Sequence, residues 1–265
     1  MVMASNVPMM LNVCFMFDSD QLKRLHKVYA DAVSHNSFLF APLKVSMVTV
    51  RIWDLPTRLF HGALALCVLG LFVSAELGGN AMVWHFRFGF AVLTLLLFRL
   101  AWGLVGGHWS RWAQFPLRPA SVAAYLQGRS LLLWAGHNPL GSWSVIFLML
   151  VLTLQVGTGL ISDDEIANVG PLSFLASGRW VSWATSWHKD WGQSLVLALV
   201  ILHLSAVAWY HFKKKVFLVP AMLHGDKSLP EPVTPSKDHV AQRLLALALL
   251  VLSALAVYFL VTIRP

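Results

Sequence analysis

Five stretches of this chain each run for about twenty residues with almost no charge, and nothing else limits its fold so strongly. They cover 59–79, 86–106, 140–161, 191–212 and 244–263. A hydrocarbon layer about 30 Å thick takes around 20 residues of helix to cross. In lipid, backbone N–H and C=O groups must bond within their own segment, so runs of this length form α-helices. The chain is therefore expected to be an all-α membrane protein with five spans. Its charged share is 12%, about half that of soluble domains. The formal charge of +8 then serves topology, since no basic stripe interleaved with aromatics suggests nucleic acid. Cys14 and Cys67 are far apart and outside any CxxC spacing, which excludes a disulfide framework or a structural zinc site.

The connections read as loops. The stretch 107–139, with three prolines, is expected to lie partly along the membrane surface; 162–187 reads as a polar connection; 213–239, basic and Pro-rich, reads as an exposed linker. Residues 1–46 hold no 20-residue apolar run and lack the order of a signal peptide. They form a poorly ordered extension, or synthesis begins at Met47. The remaining chain divides into a transmembrane domain over 47–227 and a linker with a C-terminal helix over 228–265. Lys44, Arg51 and Arg58 precede the first span, and Lys213, Lys214 and Lys215 follow the fourth. The positive-inside rule then places the N-terminus in the cytoplasm and the C-terminus in the periplasm. Trp84, Trp102, Trp143, Trp187 and Trp209 fall near span ends, as an aromatic belt requires.

Histidines carry the chemistry. His188 and His203 are 15 residues apart, about 22 Å along a helix and ~60° apart in azimuth. One helix thus offers an imidazole at each of two levels. His85 supplies a partner at the outer level and His61 at the inner level, although the nominal depths of His61 and His203 differ by roughly 10 Å. Two imidazoles approaching from opposite sides suit a low-spin haem iron with both axial positions filled, and a helical bundle can hold such a plate. Gly62, Gly89 and Gly192 would let the macrocycle approach the backbone, or serve helix packing. His108, His211, His224 and His239 lie at span ends or in loops and are not expected to be ligands; His137 is expected to be a hydrogen bonder at a helix end.

Arg99, inside the second span, pairs with a haem propionate or snorkels to the headgroups. The acidic "SDDE" at 162–165 offers a docking surface to a basic partner or is simply solvated. A rival class is a transporter that relays protons or metal ions through its histidines. That chemistry calls for carboxylates inside the spans, and here Glu76 comes nearest. A third reading is an anchor whose haems are structural.

The segments "VRIWDLPTRLFH", "WHFRFGF", "FRLAWGLVGGHWSRW", "GHNPLGSWSV", "GLISDDE" and "HKDWGQSLVLALVILHLSAVAWY" together resemble the bacterial cytochrome b561 family. That family includes the b-type cytochrome subunits of nickel–iron hydrogenases. The resemblance covers residue 50 to about 227. It implies a four-helix haem-binding transmembrane bundle, with a fifth C-terminal helix beside it here, and two haem b groups. The axial pairs it implies are His85 with His188 and His61 with His203. The reading that follows is one-electron transfer in the bacterial inner membrane between quinone and a redox partner, such as a c-type cytochrome or a hydrogenase subunit, although the resemblance identifies no electron donor.

Overall fold

The structure, a computed structural model, describes residues 47–129 and 134–263. The extension before Met47, and with it the choice of start, lies outside the described residues. Strand β1 (Val48–Arg51) leads into helix α1 (Leu55–Leu77), and α2 (Met82–Val105) returns after a short 3-10 turn. The connection that follows contains α3 (Pro119–Leu126), and α4 (Pro139–Ile161) crosses next. Helix α5 (Gly178–Ser186), a π-helical turn over Trp187–Gly192 and α6 (Gln193–Phe212) form one continuous helical stretch. Helix α7 (Leu218–His224), strand β2 (Asp226–Leu229) and α8 (Val240–Val261) complete the chain. Among the described residues five helical stretches are long and apolar enough to cross a membrane, as the apolar runs predict.

The helices start where their caps dictate. Asp54 Oδ1 accepts from the Thr57 N–H at 2.8 Å with Pro56 in the first turn, and Asn138 Oδ1 accepts from the Gly141 N–H at 2.7 Å with Pro139 at the first position. Each cap satisfies an orphan donor, and each proline sits where its missing N–H costs nothing. The first span therefore starts at Leu55 rather than 59, which lengthens it toward the surface.

Helix α1 packs along α2, α2 and α6 both pack on α4, and α8 lies against α2 and α1 outside the four-helix core. Neither α1 nor α2 packs its backbone closely on α6. The middle of the bundle is filled by Val92 and Leu96 of α2, Met149, Leu152 and Val156 of α4, and Val196 of α6. Large apolar side chains cover the outside: Leu66 is 70% exposed, Leu104 72% and Phe259 65%. Apolar surface so continuous requires lipid against it.

Two connections differ from the sequence-based expectation. The fourth helical stretch begins at Gly178, so only the first part of 162–187 is an irregular connection. The stretch 213–239 is not a free linker. β2 pairs antiparallel with β1, Val48 opposite Leu229 and Arg51 opposite Asp226. Ser236 donates from Oγ to the Ile52 carbonyl at 2.6 Å, and Trp109 Nε1 donates to the Thr234 carbonyl at 2.8 Å. Gly225 makes the reversal possible: it sits at φ +89°, and its carbonyl accepts from Ile52 and Trp53 N–H at 2.8 and 3.0 Å. A side chain there would meet the Trp53 carbonyl. Proline content suggested exposure, but pairing of β2 depends on a strand 175 residues away, which local composition does not reveal.

Candidate functional site

The fold brings the four predicted histidines together in two pairs. Because α1 and α2 are antiparallel, His61 near the start of α1 and His85 near the start of α2 fall at opposite ends of the bundle. His61 meets His203 of α6 at the near end, where α1 begins, with ring centroids 6.3 Å apart and planes at 50°. His85 meets His188 of the π-turn at the far end, with centroids 6.0 Å apart and planes at 86°. The first helix starts at Leu55, four residues before its apolar run, which takes up part of the 10 Å depth mismatch.

Spacing tests whether such pairs suit a haem iron. A nitrogen lies about 2 Å from a first-row metal and roughly 1.1 Å from its ring centroid, so opposed imidazoles place their centroids roughly 6 Å apart. Both pairs have that separation. They also lie across stretches whose backbones do not pack closely, α1 against α6 and α2 against the π-turn that carries His188. At the far end a cavity of about 470 Å³ is lined by His85, His188, Gly89, Phe90, Gln155 and Gly159, within the usual range for cofactor sites. A methyl at Gly62 or Gly89 would meet nothing within 4 Å, so both glycines leave open space, whereas Gly192 packs against Gln155 and Trp187.

The π-turn sets the azimuth of His188. An i→i+5 turn rotates each residue by roughly 80° instead of ~100°. From His188 to Gly192 this removes about 80°, which carries the ~60° offset from His203 to roughly 20° on the other side. Gln155 of α4 holds the turn: its Nε2 donates to the His188 carbonyl at 2.8 Å. His188 Nδ1 lies 2.8 Å from the Gln155 carbonyl, and His85 Nδ1 lies 3.1 Å from the Leu71 carbonyl. A carbonyl only accepts, so both Nδ1 atoms carry the proton and both Nε2 atoms are free to ligate, the usual arrangement behind a metal-bound imidazole. Neither ring of the near-end pair has a hydrogen bond among the described residues.

Residues beyond the predicted set shape the site. Gln155 and Gly159 escaped the sequence reading, although a polar residue and a glycine one turn apart inside an apolar run were a signal. Ser74 was missed as well; its Oγ lies 3.4 Å from His85 Nδ1 and donates to the Gly70 carbonyl at 2.6 Å.

Other expectations need correction. Trp102 does not belong to an interfacial belt: it is fully buried, and its Nε1 donates to Asp54 Oδ1 and Thr57 Oγ1, both at 3.2 Å. Arg99 is 3% exposed, so it does not snorkel. His137 is not the cap of α4, a role held by Asn138; its Nδ1 is buried without a partner and its ring lies between Trp53 and Phe115. Within the acidic loop, Asp164 accepts from the N–H groups of Ile166, Ala167 and Asn168 and from Asn168 Nδ2. Those bonds hold its carboxyl far below the ordinary carboxylate range and tie it into a turn.

Five helices long and apolar enough to cross a membrane define a helical membrane protein. Residues 52–225 match the family model for prokaryotic cytochrome b561. The chain belongs to that family, which makes it a b-type cytochrome of membrane electron transfer. No curated protein and no solved structure matches it.

Proposed function

We propose that the protein is a di-haem cytochrome of the bacterial inner membrane that passes single electrons between a redox partner and quinone. His85 and His188 would hold one b haem, and His61 and His203 the other. The observation carrying this reading is the presence of two histidine pairs, each at the separation two axial nitrogens require, at opposite ends of one bundle. A bound b haem would supply one-electron redox chemistry. The chain's own residues do the rest. Leu71 and Gln155 carbonyls fix the tautomer and orientation of the far-end ligands, and Val92, Leu96, Leu152 and Val196 keep the middle of the bundle dry. Arg99 faces a propionate. The near end, with Arg58 and the Lys213–Lys215 run, is cytoplasmic by the positive-inside rule, and the C-terminus is periplasmic.

The transporter alternative is disfavoured by the surroundings of the histidines. Among the described residues no group of three or more His, Cys, Asp or Glu side chains could hold a metal ion, and Glu76 is exposed. Reduced-minus-oxidised spectra and haem quantification test the proposal. His203→Ala is expected to remove the near-end haem and His188→Ala the far-end haem, each leaving about half the haem content. Full retention of haem in the His203→Ala protein would overturn it.

A further inference from the structure

We propose that Arg99, His137 and Lys227 form a carboxylate-binding pocket that takes the propionates of the near-end haem; the inference rests on the two-haem reading above. Arg99 lies in α2. It is 3% exposed, its guanidinium lies 4.1 Å from the centroid of the Trp112 ring, and it makes no hydrogen bond or ion pair among the described residues. Its Nη1 is buried without a partner. A guanidinium withdrawn from water without an acceptor is strongly unfavourable, so the fold anticipates an anion beside it. Asp54 acts on Arg99 only through its charge; its oxygens accept from Thr57, Trp102 and Ser110, and no bond to Arg99 is among those of the described residues.

From Arg99 an aromatic wall leads to the other two residues. Trp112 contacts Phe115 at 5.3 Å, Phe115 contacts His137 at 4.8 Å, and His137 contacts Trp53 at 4.7 Å. His137 presents a second buried orphan, Nδ1. Lys227 arrives from β2, and its Nζ donates to the carbonyls of Trp134 at 2.9 Å and Ala135 at 3.2 Å. An ammonium has three N–H groups, so one remains, and no carboxylate pairs with Lys227 among the described residues. Burial, and then the charges of Arg99, Lys227 and His61, push the His137 imidazole down to about 3. Its ring is therefore neutral and sits in the shared field of two cations and a haem ligand. Two cations, a neutral imidazole with an unpartnered nitrogen and no free acid match the two carboxylates at one edge of a porphyrin. A lipid phosphate offers similar chemistry, but the pocket is walled by aromatics and lies beside His61 rather than on the lipid face. The stretch expected to be an exposed linker thus contributes a cofactor-binding residue.

The test is a redox titration of the full chain in lipid nanodiscs, with the two haems assigned through His203→Ala and His188→Ala. Arg99→Gln and Lys227→Gln are each expected to shift only the near-end haem to a more negative potential, because each removes a cation that favours the reduced, less positive iron. Lys227→Arg is expected to restore it. Should a Gln variant fail to fold, His137→Asn remains, and a near-end propionate bending mode in resonance Raman that it leaves unmoved would overturn the pocket. Two bound haems with unchanged potentials would overturn it too, and loss of a co-purified anionic lipid in those same variants would assign the site to lipid instead. A wild-type protein with fewer than two haems would instead sink the underlying reading.

Discussion

Gly159 decides where the His188 ring can sit. A methyl at that position would lie 2.7 Å from His188 Cε1 and 3.0 Å from Nδ1. Overpacking of this kind costs about 1–3 kcal/mol in a well-packed core, and here the displaced group is a ligand. Gly159→Ala is therefore expected to lower haem content toward one per chain while the near-end haem keeps its spectrum. Spectra of Gly159→Ala beside His188→Ala would check this, and two intact haem signals would show that the ring has room to yield. The histidines themselves were legible because an imidazole deep in an apolar helix needs a partner. Gly159 and Gln155 were harder to see, because their roles depend on which turn of α6 faces α4.

At the scale of elements, the segment "WDLPT" does more than start α1. Asp54 caps the helix, receives Trp102 Nε1 from α2, and accepts from Ser110 Oγ at 2.6 Å. Asp54→Ala removes the cap and the acceptor of two buried donors, for a loss of about 2–4 kcal/mol. Thermal unfolding in detergent should show a clearly lowered midpoint, with Asp54→Asn milder because it keeps an oxygen for the Thr57 N–H. Equal midpoints for Asp54→Ala and wild type would remove this junction from the stability account. The cap and the proline were readable from five consecutive residues. The convergence of three elements on one carboxylate was not, nor was the π-turn, because "WHKDWG" acquires its wider winding from Gln155 on a neighbouring helix.

For the whole molecule, the C-terminal segment is fastened to the first strand by charge as well as by β pairing. Arg51 Nε meets Asp226 at 2.6 Å, Arg51 Nη1 meets Asp238 at 2.8 Å, and Arg243 Nε meets Asp238 at 3.1 Å. Burial alone would raise the Asp238 carboxyl, but hydrogen bonds from Arg243 and the Leu55 N–H, with the charges of Arg243 and Arg51, hold it below its ordinary value. A depressed carboxyl contributes its full stability above the ordinary aspartate value of about 3.9. That contribution is lost as pH falls through the lower folded value. Wild type should therefore lose more thermal stability than Asp238→Asn between about pH 5 and pH 3. The same acid dependence in both proteins would show that the clamp does not couple to protonation.

Hydropathy and spacing alone determined the number of spans, the class of bundle and which histidines are candidates, because a bilayer forces every apolar run into a helix and makes a buried imidazole conspicuous. Tertiary structure alone decided which residues hold those imidazoles in place, that Arg99 is buried beside an aromatic wall, and that a Pro-rich stretch folds back as β2. Each of these depends on contacts between positions far apart in the chain, and such contacts form only when packing brings the elements together.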